Sequence, residues 1–199
     1  MYHDLITKKS WELLQELKRR HKFILIGGWA VYLYAEQLKS KDIDIIVDYD
    51  ELERLRNHHE LVKNDRLKKY EIHMQEIDVD IYVPFFSDLG IPVESLAAHT
   101  ILSKGFTVLQ KEMLLILKQK AWLDRGHSLK GEKDKLDIIG LIQSGMDFKK
   151  YKKLLAQFHR EQYAKELVAL LKSITEVPAL GLNSHQYSRL KKTALAALL

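Results

Sequence analysis

Four aspartates in two short alternating segments are the residues of this sequence best suited to chemistry. The segment "KDIDIIVD" carries Asp42 and Asp44, and "EIDVDIYV" carries Asp78 and Asp80. Side chains alternate between the faces of a strand, so the members of each pair point the same way, roughly 7 Å apart. Two carboxylates this close repel each other unless a cation neutralises them. An oxygen-only ligand set without cysteine favours Mg²⁺ or Mn²⁺ over zinc.

A structural explanation of the same aspartates is that they form the solvent-facing side of half-exposed strands. Aspartate is depleted in strands, so two such pairs in one small sheet are unexpected. If the two segments pair side by side, Asp78 or Asp80 completes a clamp for two metal ions, which in such centres lie roughly 3.5–4 Å apart. The residues alone leave both interpretations open.

A glycine pair, Gly27-Gly28, joins the apolar segment "FILI" to "WAVYLYA", which has helical length and composition. Glycines between a strand and a helix let the backbone approach a phosphate, and the helix N-terminus offers free N–H groups. The alternative is a tight turn without a ligand. The spacing excludes a P-loop, since no Gly-Lys-Ser/Thr follows, and it excludes the G-x-G-x-x-G dinucleotide motif.

The elements that must position these residues are predicted from hydrophobic periodicity. Residues 10–21 predict an amphipathic helix capped by Ser10, and "DYDELERLRNHHELVKN" predicts a charged surface helix. "LKKYEIHM" and "IDVDIYVPF" predict an antiparallel strand pair that turns near Gln75 and Glu76. "FTVLQ" predicts a last short strand. Helices are then predicted at 111–125, 130–143, 147–159, 160–174 and 184–198.

These elements predict an α+β fold, in which a small mixed sheet with helices is followed by a helical C-terminal half. The predicted boundary separates residues 1–95 from residues 96–199. The 199 residues are 46% hydrophobic and 30% charged, as in soluble globular proteins with a sizeable core. No apolar run approaches the roughly 20 residues that span a bilayer, and no signal-peptide pattern is visible. With no cysteine present, we expect a cytoplasmic protein.

The net charge of +5 favours acidic partners, including nucleotides and RNA. A basic solvated surface explains so small an excess equally well.

The sequence resembles the DNA polymerase β-like nucleotidyltransferase superfamily over roughly residues 22–84. The resemblance rests on the glycine pair, the first aspartate pair, which follows after thirteen intervening residues, and the second aspartate pair further along the chain. The resemblance implies the nucleotidyltransferase fold. It also implies a Mg²⁺-dependent enzyme that moves a nucleoside monophosphate from an NTP such as ATP to a hydroxyl and releases pyrophosphate. The alternative is a catalytically weak or inactive nucleotide-binding or regulatory module of the same fold.

The resemblance implies a role for individual residues. Gly27 and Gly28 hold the triphosphate, and Asp42 and Asp44 bind the metal. Asp80 is the third carboxylate, which helps to bind a metal and activates the attacking hydroxyl. Its neighbour Asp78 is the second choice for that role.

One stretch departs from the superfamily pattern, which usually has Arg and Thr just before the first aspartate pair. This chain has Lys39-Ser40-Lys41 there. Ser40 takes the place of the threonine in binding the nucleotide, but a lysine lacks the bidentate fork of arginine. The departure motivates the alternative of an inactive module.

The segment "VLQKEMLLILKQKAWLDRGHSLKGEKDKLDIIGLI" is similar to the helical part of AbiEii-type nucleotidyltransferase toxins and their uncharacterised relatives. Lys118 and Arg125 fall on one face of a helix, and the resemblance implies that they reach the triphosphate. The alternative is an ion-pair network in which both residues, with Asp134 and Asp137, fasten two helices.

This narrower resemblance also implies a biological setting, a toxin–antitoxin or defence-type enzyme. Its acceptor is then an RNA 3′ end such as that of tRNA, a protein or a small molecule. A cognate antitoxin or a second copy of the chain is the implied protein partner, and no membrane partner is expected.

Overall fold

The computed structural model describes residues 2–74, 76–126 and 128–199. The chain forms two compact units, Met1–Gln110 and Lys111–Leu199. The first unit contains a seven-stranded mixed sheet and the second is helical, which confirms the predicted fold class. The strands are β1 (Ile24–Ile26), β2 (Ile43–Ile46), β3 (Val62–Asn64), β4 (Lys69–Met74), β5 (Ile77–Tyr82), β6 (Thr100–Ser103) and β7 (Phe106–Leu109).

The sheet has the strand order β3-β4-β5-β2-β1-β7-β6. Strand β2 runs antiparallel to β1 and parallel to β5, and β1 runs parallel to β7. The remaining neighbours are antiparallel. The β4–β5 hairpin was predicted to turn at Gln75 and Glu76. Glu76 lies in a turn, and Gln75 lies outside the described residues.

Helices α1 to α4 belong to the first unit. The central strands bury an apolar face that includes Leu25, Ile45 and Val79, none of which is exposed. Helix α2 packs on β1 and β2. The ring centroids of Trp29 in α2 and Trp11 in α1 are 5.0 Å apart, so α1 covers α2. The bounds are α1 (Tyr2–Arg20), α2 (Gly27–Ala35), α3 (Tyr49–His58) and α4 (Val93–Leu96).

The prediction that Ser10 caps a helix is wrong. Helix α1 begins at Tyr2, and Ser10 lies inside it with no exposed surface. Its hydroxyl accepts a hydrogen bond of 2.9 Å from the Trp29 indole nitrogen. Ser10, which precedes the apolar stripe of α1, therefore contacts the neighbouring helix α2 and does not mark the start of α1.

The second unit consists of five α-helices among its described residues. Ser128, Asp147 and Asn183 cap α6, α7 and α9 through their side chains, and Asn183 forms a full capping box with Gln186. Helices α5 and α6 pack against each other. The bounds are α5 (Lys111–Arg125), α6 (Leu129–Gln143), α7 (Phe148–Gln157), α8 (Gln162–Ser173) and α9 (Ser184–Leu198).

The sheet extends further along the chain than the predicted boundary after residue 95. Strand β7 pairs with β1 through Leu25 and Val108, and β6 pairs with β7. The first compact unit therefore continues to Gln110. None of the described helices is both long and apolar enough to cross a bilayer.

Candidate active site

The glycine turn lies directly against the first aspartate pair. Strand β1 ends at Ile26, which is opposite Asp44 in the antiparallel β1–β2 ladder. Gly27 then begins α2 with φ of 65°, a left-handed conformation that favours glycine. A Cβ atom on Gly27 would lie 2.7 Å from Cβ of Asp44 and closer still to its carboxylate. Only glycine fits at this position without displacing Asp44.

Asp44 is adjacent to Asp80 on the neighbouring strand. The two residues are partners in the parallel β2–β5 ladder, where strands lie roughly 4.8 Å apart. Burial raises the pKa of Asp80 to about 6, and the negative charge of Asp44 acts in the same direction. A hydrogen bond from Lys69 opposes both effects. The structure thus brings Gly27, Asp44 and Asp80 together across three adjacent strands.

Lys69 and Glu71 are site residues that the sequence interpretation missed. Lys69 Nζ is 2.6 Å from Oδ2 of Asp80 and 2.8 Å from Oε1 of Glu71. Burial acts to lower the pKa of Lys69, but its hydrogen bonds to the two carboxylates outweigh burial and raise it. The signal was present in "LKKYEIHM", because alternation puts Lys69 and Glu71 on one face of β4. Only the β4–β5 register places that face beside Asp80.

Asp78 has a different partner from Asp80. It is opposite His73 in the β4–β5 hairpin, and its Oδ1 is 2.8 Å from Nδ1 of His73. This hydrogen bond raises the pKa of His73. The Asp78 side chain is 47% exposed, against 17% for Asp80. Of the two, Asp80 is the one next to Asp44, and its role as third carboxylate stays a prediction.

Asp42 precedes β2 and provides the second carboxylate of the first pair. Its Oδ1 is buried and has no hydrogen-bond partner among the described residues. A buried carboxylate oxygen without a partner, two residues from Asp44, fits a hard cation such as Mg²⁺. Within the described part of the chain, however, no three acidic, histidine or cysteine side chains converge as a ready metal-ligand set. Asp42 and Asp44 are therefore the residues that fit a divalent cation, whereas Asp80 forms an ion pair with Lys69.

The N-terminus of α2 and the loop before β2 are the predicted nucleotide-binding elements. Ile26 precedes α2 and provides no side-chain cap, so the first N–H groups of the helix have no capping side chain. Backbone N–H groups at such an end bind phosphate oxygens well. Ser40 in the loop is only 3% exposed, while Lys39 and Lys41 on either side of it are exposed.

Lys118 and Arg125 lie in α5 of the second unit, where they face two aspartates of α6. Lys118 Nζ is 2.6 Å from Asp137 and 3.2 Å from Asp134, and Arg125 Nε is 3.3 Å from Asp134. Burial raises the pKa of Asp134, although both cations act to lower it. The ion-pair network between two helices, one of the two interpretations of these residues, is present. A contact of either cation with a nucleotide stays a prediction.

The arrangement in the first unit has the groups that phosphoryl transfer requires. Carboxylates can hold a divalent cation, a helix N-terminus can bind phosphate, and a further carboxylate can accept a proton.

No protein-family model matches the sequence, and no curated protein matches it. Solved structures do match, and two of the three that follow are described as nucleotidyltransferases or nucleotidyltransferase-like proteins. A structure of a protein from H. pylori assigned as a nucleotidyltransferase is 18% identical with a TM-score of 0.50, over 99% of this chain and 92% of that one. JHP933 from Helicobacter pylori is 16% identical with a TM-score of 0.51, over 96% and 91%.

An antigenic nucleotidyltransferase-like protein from Paracoccidioides brasiliensis also matches, with 18% identity and a TM-score of 0.43, over 70% of this chain and 76% of that one. The H. pylori structure assigned as a nucleotidyltransferase shows that the fold of this chain is that of a nucleotidyltransferase-like protein. The predicted nucleotidyltransferase fold is thus confirmed. The narrower resemblance to AbiEii-type toxins stays a prediction.

Proposed function

We propose that this protein is a Mg²⁺-dependent nucleotidyltransferase, which transfers a nucleoside monophosphate from an NTP to a hydroxyl acceptor. The observation that carries the proposal is the register of three adjacent strands, β1, β2 and β5. It packs Gly27 against Asp44 and places Asp44 beside Asp80. Two neighbouring carboxylates repel each other, and a bound cation would relieve the repulsion that the single ammonium of Lys69 leaves.

Each residue has a defined part in this reaction. The N–H groups at Gly27 and Gly28 and the Ser40 hydroxyl bind the triphosphate. Asp42 and Asp44 would hold Mg²⁺, or Mn²⁺ in its place, which supplies positive charge to neutralise the phosphates.

The acceptor oxygen attacks the α-phosphorus, and the bond from that phosphorus to the bridging oxygen of the β-phosphate breaks. Pyrophosphate leaves with the electron pair of that bond. Asp80 accepts the proton of the attacking hydroxyl. Lys118 and Arg125 are proposed as further nucleotide contacts. Arg125 is the more accessible of the two, with 43% of its side chain exposed against 11% for Lys118.

The distribution of charge favours RNA as the acceptor over a protein or a small molecule. Residues 1–110 contain 15 Lys/Arg and 18 Asp/Glu, a net charge of −3, and residues 111–199 contain 17 and 9, a net charge of +8. A basic unit attracts the phosphate backbone of RNA. A tRNA 3′ end in the cytoplasm fits this requirement, as does a role in a toxin–antitoxin or defence system with a cognate antitoxin.

A second candidate is a nucleotide-binding module with weak or no catalysis. The observation that favours it is the ion pair between Lys69 and Asp80, which occupies the predicted third carboxylate. The Lys39-Ser40-Lys41 loop, which lacks arginine, points in the same direction.

The test incubates the purified protein with each of the four α-labelled NTPs, Mg²⁺ or Mn²⁺, and a mixture of total RNA and cell protein. We expect label in RNA, and we expect its loss in the double variant Asp42→Ala/Asp44→Ala. Asp65→Ala is the matched control, since Asp65 is an exposed carboxylate that pairs only with Lys63 among the described residues. NTP binding without transfer to any acceptor would favour the inactive module. Label in protein would show that the acceptor is a protein and not RNA.

A further inference from the structure

Lys69 is a fixed cation inside the carboxylate cluster of the sheet. Its ammonium contacts Asp80 and Glu71 at 2.6 and 2.8 Å. The three side chains are only 11%, 17% and 14% exposed, so water screens these contacts much less than it screens surface pairs. Glu71 is opposite Asp80 in the antiparallel β4–β5 ladder, and Lys69 precedes Glu71 by two residues on the same face.

The first aspartate pair has no such partner. No lysine, arginine or histidine of the described residues lies within ion-pair distance of Asp42 or Asp44, and Oδ1 of Asp42 is buried without a hydrogen bond. The cluster is therefore divided into two parts. One part contains a cation of the chain itself, the Lys69 ammonium, and the other contains no side-chain cation among the described residues.

A two-metal centre needs carboxylates that are free to bind both ions. The Lys69 ammonium directs its N–H donors at an Asp80 oxygen that a second ion would otherwise bind, and it repels any cation near it. No three ligand side chains of the described chain converge around one point, as they would in a cluster ready for metal.

We propose that Lys69 takes the place of one metal ion, so that this centre binds a single divalent cation at Asp42 and Asp44. The inference rests on the proposed function and specifies its metal requirement. Lys69 acts through Asp80 as a positioning residue, which keeps that carboxylate in place and outside the metal's ligand set. The two-ion clamp expected from the aspartate pairs is then replaced by one ion and one ammonium.

The test counts Mn²⁺ ions bound per chain, by electron paramagnetic resonance of free Mn²⁺ during titration of the full-length protein. We expect one ion for the wild type and two for Lys69→Met, or a second site at least about tenfold tighter than in the wild type. Lys69→Gln removes the charge but keeps a polar side chain, and it serves if Lys69→Met does not fold. Circular dichroism verifies the fold of each variant.

Two further variants separate charge from structure. Lys69→Arg restores the cation and is expected to bind one ion like the wild type. Lys63→Met removes an exposed lysine from the neighbouring strand β3, where its partner is Asp65 at 2.8 Å, and is also expected to bind one ion. A merely structural role of Lys69 would leave the ion count unchanged in every folded variant.

The possible failures differ. The inference is overturned if the wild type binds two ions, or if Lys69→Met and Lys69→Gln bind the same number of ions as the wild type with the same affinity. The proposed function survives that result as long as Asp42→Ala/Asp44→Ala abolishes binding. If no variant binds Mn²⁺, or if the double variant binds as the wild type does, the metal centre of the proposed function is overturned, and the inference with it.

Discussion

Gly27 is subject to two separate constraints, which can be measured apart. Its φ of 65° alone costs an L-residue about 1–2 kcal/mol. A methyl group there would also collide with Asp44. We expect Gly27→Ala to lower the free energy of unfolding by more than the φ cost and to abolish nucleotide transfer. Urea denaturation and the labelled-NTP assay measure the two effects.

Gly181 provides the control for this substitution. Its φ is 68°, and no heavy atom lies within 4 Å of a Cβ built on it. Gly181→Ala therefore carries the backbone strain without a collision, and we expect a loss of about 1–2 kcal/mol. Equal losses in the two variants would contradict the close packing of Gly27 on Asp44.

Lys118 is the cation on which two buried aspartates of the second unit depend. Asp134 and Asp137 are 3% and 1% exposed, and both contact its ammonium. Lys118→Met leaves them without this charge, and removal of one partner from a buried ion pair costs about 3–5 kcal/mol. We expect a loss of this size in the free energy of unfolding at neutral pH, measured with urea.

The pH dependence of that loss has a definite sign. The pKa of Asp134 is already raised in the folded protein, so its protonated form is stabilised by folding. Loss of Lys118 raises this pKa further, so the deficit of the variant should grow as the pH rises above the already raised pKa of Asp134 in the wild type. Lys120→Met, which removes an exposed pair with Asp124, should cost less than about 1 kcal/mol at any pH. A pH-independent deficit in Lys118→Met would argue against the ion-pair explanation.

At the scale of elements, the hydrogen bond between Ser10 and Trp29 joins α1 to α2, the helix that carries the glycine turn. Ser10→Ala leaves the buried indole N–H without an acceptor, which costs about 1–3 kcal/mol. We expect a lower melting temperature and a shifted tryptophan fluorescence spectrum in the native state.

Ser95→Ala is the comparison for that variant, because the Ser95 hydroxyl donates to a backbone carbonyl at an exposed position. It should leave both the melting temperature and the spectrum nearly unchanged. A Ser10→Ala protein as stable as the wild type would indicate that water or another group satisfies the indole.

The elements that could be predicted from sequence are those with a strong apolar pattern. The predicted helix 111–125 matches α5, and the helices predicted at 130–143 and 184–198 match α6 and α9 to within a residue. Strands β2 and β5 follow from their period-two alternation, with buried isoleucine and valine between the aspartates. Such patterns are set by the core, which the local sequence records directly.

Strands β3 and β6 were missed for a physical reason. Both lie at the edges of the sheet, and neither contains a fully buried residue. The segment of β3 was predicted as the end of a charged helix, which in fact stops at His58. Edge strands of this kind are specified by their pairing with a neighbour, and the local sequence carries little trace of it.

The candidate site likewise contains residues that the sequence could identify and contacts that it could not. Asp42, Asp44 and the glycine pair stand close together in the sequence, so their type and spacing were sufficient to select them. The contact of Asp80 with Lys69 depends on the register of two strands, and spacing alone does not specify that register.

At the scale of the whole molecule, the opposite net charges of the two units predict how RNA binding responds to salt. The affinity should fall with ionic strength, with a log–log slope of about −0.7 per phosphate contact for single strands. Lys152 and Arg189 are exposed residues of the basic unit. We expect Lys152→Glu/Arg189→Glu to weaken binding and to reduce the slope by about 1–2, measured by fluorescence anisotropy of labelled tRNA.

Lys63→Glu changes the charge of the acidic unit at an exposed position and is the control for this experiment. It should leave the slope as it is in the wild type. RNA affinity that does not depend on salt would remove the electrostatic reason for choosing RNA as the acceptor.

The parallel pairing of β1 with β7 affects the order in which the strands of the sheet can pair during synthesis. Leu25 leaves the ribosome long before Val108, its partner on the outer side of β1. Until residues 106–109 emerge, β1 is an open edge that invites pairing with other chains, and closing so long a loop is slow. Strand β1 therefore gains its second neighbour late in synthesis, and a nascent chain is exposed to misassembly until then.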